Sequence, residues 1–128
     1  MKHDPLKKIV STLFIHFNNR NWEKMAELFS ENLETTFPQT GETIKGKQGY
    51  IEKIKILWGD SKVQQFNLYR EHDRWDHQDT IISEAGIMNN TSNVQEIDSF
   101  MVSIFVIEMG FIISATHYLA SRDVSGIT

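Results

Sequence analysis

The chain has 128 residues, a formal net charge of -4 and no cysteine. That length fits a single domain, residues 1–128, which can bury a core without cross-links. The missing cysteines exclude disulfides, thiolate metal ligands and cysteine nucleophiles, and 13 basic against 17 acidic residues exclude the basic stripe of a nucleic-acid binder.

Asp4 and Pro5 are suited to opening a helix. Leu6, Ile9, Val10, Leu13, Phe14 and Phe17 follow at three- and four-residue steps and predict an amphipathic first helix. His16 flanks that stripe. No uninterrupted apolar region follows the charged first residues, so a signal peptide is not expected. The most apolar run, 100–107, is too short to cross a bilayer as a helix. The chain is therefore expected to be cytoplasmic and without a membrane partner.

Asn21 can cap a second, shorter helix whose apolar side carries Trp22, Met25, Ala26, Leu28 and Phe29. Residues 33–37 form a short strand candidate, with Leu33, Thr35 and Phe37 on one face and Glu34 and Thr36 on the other. Pro38 cannot continue a central ladder. Residues 39–45 read as a loop around Gly41. A third helix is expected from Lys47 to Trp58, with Tyr50, Ile51, Ile54, Leu57 and Trp58 sharing a face and Gly59 just past its end.

Strand patterns take over from Lys62. Residues 63–72 alternate, 71–79 read as a polar hairpin connection, and 80–88 as the next strand. The turn at 89–93 contains Asn-Xaa-Ser/Thr matches that read as turn chemistry. Residues 96–108 are apolar on both parities, and Met109-Gly110 turns the chain into a final strand, 111–120. A strand with two apolar faces has more to bury than one layer of helices can cover. A homodimer packed through the outer sheet face is the expected solution.

Residues 18–50 resemble the SnoaL-like branch of the nuclear transport factor 2-like superfamily. The resemblance lies in the polar break at Asn18-Asn19, the Asn21-Trp22-Glu23 helix start, the strand ending at Pro38, and Gly46 before a helix. The closing turn Gly110-Phe111 and the strand through Thr116-His117-Tyr118 extend it over essentially the whole chain. It implies an α+β fold: three N-terminal helices packed on a curved, mixed or antiparallel sheet, forming a cone with an internal pocket.

The superfamily holds isomerases, epoxide hydrolases, polyketide cyclases, dehydratases and binding-only proteins, so fold alone does not assign an activity. Ketosteroid isomerases place a general-base aspartate just before the strand-ending proline and a tyrosine on the first helix. Those positions fall here on Phe37 and near Leu13. Limonene-epoxide hydrolases use an Arg, an Asp and a further acid whose positions fall on Ala85, Ile87 and His117. Neither catalytic set is present.

His117 is the leading candidate base, an imidazole in an apolar strand where relatives place an acid. By the same comparison Glu34 and Thr36 are expected to point inward, so that Glu34 could orient His117. The expected pocket lining is Phe14, Phe17, Trp22, Thr36, Ile54, Trp58, Ala85, Ile87, Phe105, Ala115 and Leu119. Such walls suit a small apolar or amphipathic molecule. Glu84 opposes Ala85 and Ile87 in parity and is expected on the outer side.

The stretch 70–79 has the residue types of a metal site but no familiar spacing, so neither metal nor cofactor is expected. Its Trp75 could cap the pocket mouth. The leading expectation is a small-molecule-binding protein. A cofactor-independent isomerase, cyclase or hydrolase using His117 and a protein-interaction module are the alternatives.

Overall fold

The computed structural model describes the backbone of residues 4–59, 64–74, 77–89 and 96–121, with side chains over 5–57, 79–87 and 100–119. Trp75, the turn after Asn89 and the tail beyond Ser121 lie outside the described residues. The side chains of Trp58 and of 70–78 lie outside them too.

Helix α1 (Asp4–Asn18) buries Val10, Leu13, Phe14 and Phe17, the stripe its spacing predicts. Helix α2 (Trp22–Ala26) is capped by the Asn21 side chain, which accepts from the Lys24 backbone N–H at 3.3 Å. Strand β1 (Phe29–Phe37) follows at once and ends at Pro38. The turn after it closes on the Phe37 carbonyl, which accepts from Thr40 and Gly41. Gly41 takes the left-handed φ of 75° that the turn requires.

Residues 42–45, read as loop, form strand β2 (Glu42–Lys45) antiparallel to β1. Its charged ends, Glu42 and Lys45, are what an edge strand carries. Helix α3 (Lys47–Ile54) is shorter than predicted, because the chain widens into a π-helical turn, Lys55–Gly59.

Strands β3 (Gln64–Arg74), β4 (His77–Asn89), β5 (Glu96–Glu108) and β6 (Phe111–Ser121) form an antiparallel meander. The polar stretch expected as a connection is therefore mostly strand, with Glu71 opposite Ser83 and His72 opposite Ile82. Cross-strand pairing overrides the polarity of those residues. Met109 and Gly110 both have positive φ in the tight β5–β6 turn, as a two-residue hairpin needs.

The six strands form one mixed sheet in the order β2-β1-β6-β5-β4-β3. Only β1 and β6 run parallel. Helix α1 lies over β3 and β4, and α3 lies over β1 and β2. The core fills the concave space between them. Phe14 meets Phe105 edge-on at 6.4 Å, and Phe29 meets Tyr50 at 5.1 Å. No helix among the described residues is long and apolar enough to cross a membrane.

Candidate functional site

The centre of the concave face holds a polar residue. On β6, Ala115 and His117 point inward and are fully buried or nearly so, while Tyr118 points out. On β5 the inward residues are Met101, Ser103, Phe105 and Ile107. Pairing of β5 with β6 sets Ser103 directly opposite His117. Helix α3 brings Tyr50 down onto the same point from above the sheet.

Both ring nitrogens of His117 are engaged. Nδ1 lies 2.7 Å from Ser103 Oγ, and Nε2 lies 2.8 Å from Tyr50 Oη. The two aromatic planes stack at 12° with centroids 5.7 Å apart. Phe37 and Phe105 flank the imidazole at 5.5 Å and 5.8 Å. Burial without any charged neighbour pushes His117 down to about 4. Burial likewise pushes the Tyr50 phenol well above its ordinary range. Both groups are therefore neutral at physiological pH.

A neutral imidazole between two hydroxyls has two hydrogen-bond arrangements. In one, Ser103 donates to Nδ1 and Nε2–H donates to Tyr50, leaving the phenol O–H to donate elsewhere. In the other, Tyr50 donates to Nε2 and Nδ1–H donates to Ser103, leaving the phenol oxygen to accept. The cluster can thus offer either a donor or an acceptor without forming a charge.

His117 and Tyr50 border a cavity of about 20 Å³, whose other walls are Leu13, Phe14, Phe17, Met25, Ile54, Met101 and Phe105. Among the described residues, no carboxylate, ammonium or guanidinium lines it. Ser83 lies opposite Ser103 on β4, extending a polar row across three strands, and its Oγ is buried without a protein partner. Thr35 Oγ1, on the inner face of β1, is in the same condition.

Glu34 does not join this site. It is exposed, and it alternates with the buried Leu33, Thr35 and Phe37. Thr36 shares its outward parity and is half-buried. The apolar parity of β1 faces the core, and the inward assignment of Glu34 and Thr36 was one residue out of register. Phe37 takes the place beside His117 that a partner acid would need.

Of the other expected lining residues, Phe14, Phe17, Ile54 and Phe105 border the cavity. Ala85, Ile87 and Ala115 are buried in the core but form none of its walls, and Trp22 packs edge-on against Phe17 at 6.0 Å. Leu119 borders a different, outer hollow. Sequence reasoning missed Tyr50 and Ser103 as partners of His117. Ser103 carried a signal, a hydroxyl set between Met101 and Phe105 on the apolar inward parity of its strand. His16 stands half-buried in the last turn of α1, next to Phe17, but forms none of the cavity's walls. Among the described residues no three histidine or acidic side chains gather as a metal site would need.

No family model and no curated protein matches the chain. Solved structures do. A nuclear transport factor 2-like protein of unknown function from Burkholderia xenovorans superposes with a TM-score of 0.74 at 15% identity, covering 95% of this chain and 88% of its own. A protein with a ketosteroid isomerase-like fold from Catenulispora acidiphila, in complex with trimethylamine, gives 0.68 at 13% identity over 86% and 83%. A candidate isomerase of the SnoaL-like family from Agrobacterium tumefaciens gives 0.71 at 14% identity over 89% and 96%. The chain shares the α+β fold of these nuclear transport factor 2-like, SnoaL-like and ketosteroid isomerase-like structures.

Proposed function

We propose that the chain binds a small, uncharged molecule carrying one hydroxyl or carbonyl group, which meets Tyr50 and His117 at the polar end of an apolar cavity. The observation that carries this reading is the Ser103–His117–Tyr50 cluster, buried, neutral and hydrogen-bonded at both ring nitrogens. Such a cluster recognises hydrogen-bonding groups and disfavours ions, because nothing in the walls compensates a buried charge. The trimethylamine bound by the Catenulispora relative supports small ligands on this fold.

Base catalysis through an imidazolium fits the cluster less well. Lowering the histidine from 6.5 to about 4 makes its charged form costlier by about 3 kcal/mol than in water. Among the described residues no acid faces it to offset that. A neutral exchange of tautomers between Ser103 and Tyr50 is the proton movement the cluster's geometry favours.

Native mass spectrometry of freshly purified protein, followed by Tyr50→Phe and His117→Ala, tests the binding reading. Retained mass that is lost in both variants is the expected result, and retention unchanged in both would overturn it. Deuterium uptake from heavy water into cyclohexanone, abolished by His117→Ala, would instead establish proton transfer.

We also propose that a second copy covers the outer sheet face, where Phe100, Val102 and Tyr118 are 41%, 38% and 44% exposed. The same mass spectrum reads this directly as a dimer, and a bare monomer would overturn it.

A further inference from the structure

A second hollow, of about 180 Å³, lies against the walls of the inner cavity. The cavity is bounded by Tyr50 and Ile54 of α3 and by His117 of β6. The hollow is bounded by Lys53 of the same helix, by Leu57 in the turn that continues it, and by Leu119 two residues along the same strand. Alternation places His117 and Leu119 on one face of β6. Between the two spaces stands Phe37, which lines the hollow and lies 5.5 Å from the His117 ring.

The polar groups around the hollow are already satisfied. Lys53 Nζ pairs with Glu42 at 3.0 Å and sits 5.9 Å over the Phe37 ring. Gln39 accepts from the Leu119 backbone N–H at 2.8 Å and donates to the Leu119 carbonyl. What remains for a ligand is the apolar surface of Phe37, Leu57 and Leu119.

The sizes divide the task. A cavity of about 150 Å³ with apolar walls accommodates a benzene ring, whereas about 10–15 Å³ suffices for one water-sized group. We propose that the hollow is the outer compartment of the binding site. It takes the ring of a neutral, monocyclic molecule whose hydroxyl or carbonyl reaches Tyr50 and His117 once the Phe37 ring turns aside. This rests on the reading of the inner cavity as a polar-tipped site. Charge on the ligand is disfavoured at both ends, since Lys53 is paired with Glu42 and the described inner walls hold no ion.

The test is a titration of isotope-labelled protein with para-fluorophenol, fluorobenzene and para-fluorobenzoate, followed by NMR. Para-fluorophenol is expected to shift the backbone amides of Gln39, Leu57 and Leu119 together with the His117 ring nitrogens. Fluorobenzene should bind more weakly, and para-fluorobenzoate not at all. Phe37→Ala should tighten para-fluorophenol by about tenfold, because the closed partition taxes the free protein. Leu57→Trp, at a 40% exposed site that tolerates substitution, should fill the hollow and weaken binding by about tenfold.

Unmoved Leu57 and Leu119 amides with a responding His117 would overturn this proposal and leave the inner site standing. Shifted hollow amides with a silent His117 would overturn the inner site and the joined one with it. Equal affinity in wild type, Phe37→Ala and Leu57→Trp would remove the hollow from the site.

Discussion

His117 and Tyr118 are neighbours on one strand and live in opposite worlds. The polar imidazole is 2% exposed and the aromatic phenol next to it is 44% exposed. Strand β5 repeats the inversion, burying Ser103 while leaving Phe100 and Val102 half-open. Simple alternation puts apolar residues inside and polar ones out. A buried polar group and an exposed apolar patch are the informative departures from that order, and the proposed binding site and dimer rest on them.

That contrast can be broken. Truncating the inside should cost most: Phe105→Ala, at a fully buried ring between Phe14 and His117, is expected to lose about 3–5 kcal/mol in urea unfolding. Protonation should cost nearly as much. The unfolded histidine titrates near 6.5 and the folded one at about 4, so the unfolded state binds the extra proton between those values. Stability from this group is complete above 6.5, falls as the pH drops towards 4, and levels off below, a loss of about 3 kcal/mol. Comparing urea midpoints of wild type and His117→Asn across that range isolates it, since the variant should lack the slope.

Tyr50→Phe leaves Nε2 of His117 without its partner and should cost about 1–3 kcal/mol. Smallest is the outside: Tyr118→Ser should change monomer stability by no more than about 0.5 kcal/mol, while shifting sedimentation from dimer towards monomer. If Tyr118→Ser destabilised the fold as much as Tyr50→Phe, the division between the two faces would be wrong.

The fold was legible where periodicity is strong. The α1 stripe, the Asn21 cap, the Met109-Gly110 turn and the long β5 can all be read from residue spacing. Residues 42–45, 73–74 and 77–79 were not, because their strand character comes from a neighbouring strand and not from their own composition. The candidate site was legible only in part. His117 stood out as a polar residue in an apolar strand. Likeness to relatives points Glu34 inward, whereas the strand's own alternation marks Leu33, Thr35 and Phe37 as the buried set. Tyr50 looked like ordinary core, since a helical aromatic gives no sign of which hydroxyl partner waits across the sheet. Spacing alone could not bring 50, 103 and 117 to one point.

Strand β6 is the last described strand in the chain, yet it is seated between β1 and β5. Its contacts with the first half are as remote as Gln39 with Leu119, 80 residues apart. During synthesis β1 must therefore wait, one edge unpaired, until the end of the meander has emerged. Closing so long a loop is slow, and exposed edges in the interval invite association with other chains. The imidazole cluster, built from residues 50, 103 and 117, comes into being only in that final docking step.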